Sequence, residues 1–202
     1  MKNTVVIGLC GSSGAGKGYV SSVFSSFGAL HIDTDAVYHS LLEPSGDKMS
    51  ACVKAIRREF GDSVLDGARL DRAALGDIVF SDGEKRAALN RITHAYIKKE
   101  TLKMIRSTRA PFAVVDAPLL FESGFDKLCD FTVCVTADDE TKIERIIRRD
   151  GTTRENALRR LASQKSDAEL LSLCDHSIDN SRGRDVTEDV AKILDEAGLL
   201  SK

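Results

Sequence analysis

Seven residues near the start of the chain, Gly11-Ser12-Ser13-Gly14-Ala15-Gly16-Lys17, restrict the fold more than any other segment. They fit the pattern G-x-x-x-x-G-K, and their surroundings are as informative as the pattern itself. Val5 to Leu9, just before them, is short, apolar and β-branched, which reads as a fully buried parallel strand. After them Val20, Val23, Phe24 and Phe27 recur at helical spacing over Tyr19 to Phe27, and Gly28 is placed to end that helix. A strand that turns through glycines into a helix start is a cradle for phosphate. The glycines let backbone N–H groups converge, the helix contributes its positive end, and Lys17 adds a full charge toward the outer phosphates of a nucleoside triphosphate. Ser13, Gly14, Ala15, Gly16, Lys17 and Gly18 are the expected contacts. Gly18 departs from the pattern: Ser or Thr there supplies a hydroxyl to Mg²⁺, and glycine cannot.

The rest of the chain alternates between short apolar runs and helical stretches. Ala29 to Ile32 is a second strand with Asp33-Thr34-Asp35 at its end. Residues 36–110 are charged and helical in pattern, broken at Pro44-Ser45-Gly46, Gly61-Asp62 and Asp82-Gly83, with no strand expected. Strand character returns at Phe112 to Val115, which ends in Asp116, and again at Phe131 to Val135. Asp138-Asp139-Glu140 opens a helix, acidic residues suiting its N-terminus. His176 to Ile178 is a last strand, ending at Asp179-Asn180, and Val186 to Leu194 a last amphipathic helix. This alternation predicts a parallel sheet with helices on both faces. A single domain is expected, its core at 1–35 and 111–202 and a helical insert at 36–110.

In such sheets ligands sit beyond the C-terminal ends of the strands. Two acidic positions fall there. Asp116 is expected to hold the water shell of a magnesium ion. Of Asp33 and Asp35, one is suited to accept the proton of an attacking hydroxyl and the other to cap the following helix. Arg145, Arg148, Arg149, Arg154, Arg159 and Arg160 form a basic stretch interrupted at Gly151-Thr152-Thr153. Arginine stabilises charge on a transferring phosphoryl group, so this stretch, at about 145–165, is read as a mobile lid led by Arg145 and Arg149.

Composition narrows the partners. With 29 basic and 31 acidic residues the net charge is −2, which gives no global argument for nucleic acid or a membrane surface. No apolar run approaches a membrane span. The five cysteines form no C-x-x-C pair, and an odd number beside apolar runs reads as buried free thiols in a reducing compartment, not as disulfides or a zinc site. The expectation is a cytoplasmic protein acting on a small molecule, a monomer or weak homo-oligomer.

Further segments, in this order, resemble the dephospho-coenzyme A kinase family over nearly the whole chain. They are "VIGLCGSSGAGKG", "HIDTDAVYH", "GARLDRAALGDIVF", "LNRITHAYI", "VVDAPLLFESG", "IERIIRRDG" with "RRLASQ", and "CDHSIDNSRG". The "VVDAPLLFESG" piece is the most specific. The resemblance implies an α/β fold of the P-loop NTPase type: three layers, α/β/α, around a parallel five-stranded sheet. It implies ATP and Mg²⁺, and transfer of the γ-phosphoryl to the ribose 3′-hydroxyl of dephospho-coenzyme A. By position it implies Asp33 as the base and Lys17, Arg145 and Arg149 at the transferring group. Asp35, Arg72, His94, Pro118, Leu119, Leu120 and Glu122 are implied on the acceptor side, and Asn180 near the adenine. The chain departs from the family at Gly18, at Ala95 in place of a proline, at Lys142 in place of glutamine and at Cys174 in place of alanine.

Overall fold

The computed structural model describes residues 4–200, and the chain falls into two compact units. One runs through Ile32 and resumes at Thr108; the other is Asp33–Ser107.

The first unit is built on a five-stranded sheet of β1 (Val5–Cys10), β2 (Leu30–Asp33), β5 (Phe112–Asp116), β6 (Phe131–Thr136) and β7 (His176–Asp179). Their order is β2-β5-β1-β6-β7. β1 pairs in parallel with β5 and with β6, and β6 with β7. The central strands are apolar without alternation because both faces are covered. On one face Ile7, Leu9, Phe112, Val114, Val133, Val135 and Ile178 pack against Val20, Val23 and Phe24 of α1 (Lys17–Ser26) and Val190, Ile193 and Leu194 of α9 (Thr187–Glu196). The opposite face belongs to Val6, Gly8 and Cys10 by the two-residue period of a strand. Gly8 is required there, since a Cβ would lie 2.8 Å from Cys129 Sγ and 3.0 Å from a Leu120 methyl.

The basic stretch forms two helices, α6 (Asp139–Asp150) and α7 (Arg154–Ala162), separated by Gly151 in the left-handed conformation. Ile143 and Ile146 pack on Ala157, flanked by Ile147 and Leu161. A short α8 (Asp167–Leu171) follows, with Ser166 and Glu169 in a reciprocal capping box.

The second unit contains α2 (Thr34–Leu42), α3 (Ala51–Phe60), α4 (Arg72–Phe80) and α5 (Gly83–Ser107). Leu42, Cys52, Val53, Ile56, Val64, Leu75 and Val79 form its core. It is not purely helical, as the sequence suggested: β3 (Leu65–Asp66) and β4 (Arg69–Leu70) pair antiparallel across Gly67, whose φ is 59°. Two-residue strands offer no periodicity to read, and the Asp-Gly turn is their one visible mark. Ala95 lies inside α5, which runs unbroken for 25 residues. A proline there would remove a helical N–H and clash with the preceding turn.

Candidate active site

The loop between β1 and α1 places its glycines as the chemistry demands. Gly14 and Gly16 have φ of 81° and 89°, and Gly16 stands as the residue before the helix. Within the loop Ala15 N–H bonds to the Ser12 carbonyl, and Ser13 N–H donates to Gln164 Oε1 at 2.8 Å. The N–H groups of Gly14, Gly16, Lys17 and Gly18 have no acceptor among the described residues, which leaves a run of donors for an anion. Lys17 Nζ donates to the Gly11 carbonyl at 3.1 Å, so the ammonium is folded over the loop.

The loop is held from behind by groups far away in sequence. Arg145 donates through Nη1 to the carbonyls of Gly14 (3.2 Å) and Ala15 (3.1 Å), and through Nη2 to that of Asn180 (2.9 Å). Asn180, 3 % exposed, donates from its amide to the Ala15 carbonyl at 2.8 Å. These two side chains were expected at the transferring group and at the adenine. In this structure both side chains bond to the loop's carbonyls. Arg149 is the more exposed of the lid pair: it pairs with Asp150 at 2.7 Å and reaches Ser13 Oγ at 3.4 Å.

A network centred on the buried Lys142 completes the support. Ser12 Oγ donates to Asp167 Oδ1 (2.8 Å), and Lys142 Nζ bridges Asp167 Oδ2 (3.0 Å) and Asp139 (2.8 Å). Lys142 is 6 % exposed. Burial alone would push its pKa down; the bonds to Asp139 and Asp167 outweigh that and raise it. Ser12, Asp167 and Gln164 went unassigned in the sequence. Lys142 carried a signal: it stands four residues before the buried Ile146 on α6, a position facing the core.

The carboxylates at strand ends divide their tasks. Asp33 closes β2 and caps α2: its Oδ1 accepts the N–H of Asp35 (2.8 Å) and of Ala36 (3.1 Å). The cap is therefore Asp33, not Asp35, and Asp33 Oδ2 makes no bond among the described residues. Asp116 closes β5 in register with Leu9 of β1, one strand from the loop. After it Pro118 and Leu119 are exposed, the latter at 52 %. Leu120 differs from expectation. It is 1 % exposed and its methyl groups fill the space over Gly8, so it supports the sheet and lines no open surface. Glu122 pairs with Lys165 at 2.6 Å; partial burial pushes its pKa up, but the Lys165 bond prevails and lowers it.

In the second unit Arg72 is the exposed first residue of α4, behind the Asp71 cap. His94 is half-buried on α5, and burial lowers its pKa, favouring the neutral ring. Beside Arg145, Thr141, Glu144, Arg148 and Arg182 complete the lining of a cavity of about 250 Å³.

One test of the brace is direct. Asn180→Ala is expected to cost about 0.5–1.5 kcal/mol, since it removes a buried hydrogen bond to the Ala15 carbonyl, which keeps its bond from Arg145. Urea unfolding without nucleotide measures it; a loss below about 0.5 kcal/mol would show the amide bond to be dispensable.

A glycine-cradled loop between a central parallel strand and a helix, with carboxylates at neighbouring strand ends, defines a P-loop kinase fold. Shikimate kinase from Acinetobacter baumannii shares it at a TM-score of 0.54 and 16% identity, over 97% of this chain and 94% of that one. The profile of the dephospho-CoA kinase family matches residues 5–185, and the chain belongs to that family. It is 37% identical over 193 residues to the dephospho-CoA kinase of Corynebacterium diphtheriae, covering 94% of both chains. It is 40% identical over 187 residues to that of Symbiobacterium thermophilum, covering 90% of this chain and 76% of the relative. Among solved structures, dephospho-CoA kinase from Campylobacter jejuni matches at a TM-score of 0.65 and 28% identity, covering 98% of both chains. Among the described residues no helix is long and apolar enough to cross a membrane.

Proposed function

We propose that this chain transfers the γ-phosphoryl of ATP to the ribose 3′-hydroxyl of dephospho-coenzyme A, giving coenzyme A and ADP. The observation that carries the reading is the set of open N–H donors at Gly14, Gly16, Lys17 and Gly18 beside the Lys17 ammonium, in a chain of this family. Those donors and Lys17 bind the β- and γ-phosphates. The cavity beside Arg145 and Arg182 takes the base. Asp33 Oδ2 accepts the proton of the attacking hydroxyl while Oδ1 keeps the helix cap. Arg149, which already reaches Ser13, closes on the phosphates. Arg72, His94, Pro118, Leu119, Glu122 and Asp35 serve the acceptor.

The donor set fits a magnesium ion. Asp116 offers a hard carboxylate one strand from the loop, and Gly18 offers no side-chain ligand, so Asp116 would hold the ion through its water shell. When bound, the ion supplies neutralisation of charge on the phosphates. A Cβ on Gly18 would meet nothing within 4 Å. Gly18→Ser is therefore expected to fold normally and to gain a few tenths of a kcal/mol in helix propensity. It should also lower the Mg²⁺ concentration needed for half-maximal rate. An unchanged Mg²⁺ requirement would show that the hydroxyl cannot reach the ion.

The deciding experiment is an acceptor panel with ATP and Mg²⁺: dephospho-coenzyme A beside AMP, CMP and shikimate. ADP release with dephospho-coenzyme A alone is expected. Preference for a nucleoside monophosphate overturns the reading in favour of a nucleotide kinase. ATP binding without turnover on any acceptor leaves a nucleotide sensor.

A further inference from the structure

Three cysteines far apart in sequence meet at one end of the sheet. Cys10 ends β1, and Cys134 is its direct partner in β6, so both side chains leave the same face. Cys174 lies two residues before β7. The Sγ atoms of Cys10, Cys134 and Cys174 all lie within 4.8 Å of one another, and those of Cys10 and Cys174 are 3.2 Å apart. Cys10 and Cys134 are 1 % and 0 % exposed; Cys174 is half-buried and gives the group its access.

The position of Cys174 is fixed by its neighbour. Asp175 accepts both the N–H and the hydroxyl of Thr132 on β6, each at 2.8 Å. That bond pair anchors the backbone next to Cys174 against the strand that carries Cys134.

We propose that Cys10, Cys134 and Cys174 form a thiolate site for a soft d¹⁰ metal ion, copper(I) or zinc(II), where the C-terminal end of β1 lies beside β6. Three sulfurs around one ion with metal–sulfur bonds of about 2.3 Å stand roughly 3.8–4.0 Å apart. The observed spacing brackets that value, so small side-chain rotations suffice. Thiolates select soft ions of this kind over magnesium or calcium. Among the described residues no fourth His, Cys or carboxylate joins the group. Copper(I) is suited to the three sulfurs as they stand, and zinc(II) takes water at the fourth position. Each thiol gives up its proton to solvent as the metal–sulfur bond forms, with no change of oxidation state. The site does not depend on the kinase reading: its ligands are distinct from the groups assigned to phosphoryl transfer.

The test uses the full chain, reduced and metal-free, without oxygen. Cd²⁺ is added as an optical probe, and Zn²⁺ and Cu⁺ are added in separate arms against chromophoric chelators. Uptake of one ion per chain is expected, with thiolate-to-cadmium absorption reaching the plateau of three sulfurs. Loss of a ligand in Cys174→Ala should weaken binding by more than the roughly 10–100-fold that loss of an outer partner costs. Cys174→Ala is a small change at a half-exposed position, and circular dichroism checks its fold; Cys134→Ser gives a second, independent loss. Cys52→Ala and Cys129→Ala should bind as wild type does. The ion should raise the melting temperature of the wild-type chain and not of Cys174→Ala. Equal uptake by Cys174→Ala and Cys134→Ser overturns the site, as does a plateau of fewer than three thiolates. So does failure of the reduced wild-type chain to take up any of the three ions. The relative affinity in the two physiological arms assigns the metal.

Discussion

Asp33→Asn is expected to lower the rate of phosphoryl transfer by roughly 10²–10⁴-fold and to leave stability almost unchanged. The two halves of that expectation come from the two oxygens of one side chain. Oδ1 caps α2 through the N–H groups of Asp35 and Ala36. Asparagine is as good an N-cap as aspartate, so the carbonyl oxygen of the amide keeps both bonds. It cannot take a proton from an attacking hydroxyl. Asp33→Ala separates the roles from the other side: it loses the base and also about 0.5–2 kcal/mol of cap energy. Single-turnover rates with dephospho-coenzyme A, beside urea denaturation of both variants, make the comparison. Wild-type turnover in Asp33→Asn would remove Asp33 from the chemistry and leave it only the cap.

Gly16→Ala is expected to be among the most damaging small substitutions in the chain. Gly16 sits at φ 89°, ψ 34°, a left-handed conformation that costs a non-glycine residue about 1–3 kcal/mol. The added Cβ would also lie 2.2 Å from Asn180 Nδ2 and 3.1 Å from Arg145 Nη1. Both groups are committed to the loop's carbonyls, so neither moves without giving up a buried bond worth about 1–3 kcal/mol. A fall in melting temperature on the order of 10 °C follows for a chain of this length. ATP binding should fall with it, because the N–H groups on either side of residue 16 turn away from the phosphates. The double variant Gly16→Ala/Asn180→Ala tests the cause. Removing the amide frees space for the methyl group, so the pair should cost less than the sum of its members. Strict additivity would place the whole effect in the backbone conformation.

Much of the first unit was legible in the sequence, for a reason particular residues make plain. Val5–Leu9, Phe112–Val115 and Phe131–Val135 are apolar but for Thr132 because both faces of the sheet are covered, so they stand out from the charged stretches around them. The loop was legible because its glycines answer to backbone geometry, which is local. What escaped was long-range. Arg145 and Asn180 read as ligand contacts by charge and motif, yet they lie 130 and 165 residues from Ala15, whose carbonyl they hold. Leu120 belongs to a motif that reads as acceptor-facing, and only the packing over Gly8 shows where its side chain goes. The assembly of Cys10, Cys134 and Cys174 depends on strand order, which no spacing along the chain reveals.

The slender attachment of α7 has a consequence for how the molecule breathes. Of its nine residues only Ala157 is fully buried, whereas α1 buries Val20, Ser21, Val23 and Phe24. Its ion pairs, Arg154 with Glu140, Arg159 with Glu155 and Arg160 with Asp150, lie at the surface and are worth little. A segment so weakly held opens by itself, at a fraction of the free energy that unfolds the sheet. Its amide protons should exchange with deuterium well ahead of those of β1 and β6. Nucleotide should slow that exchange in α7 first, so the timing of isotope uptake along the chain gives a map of closure.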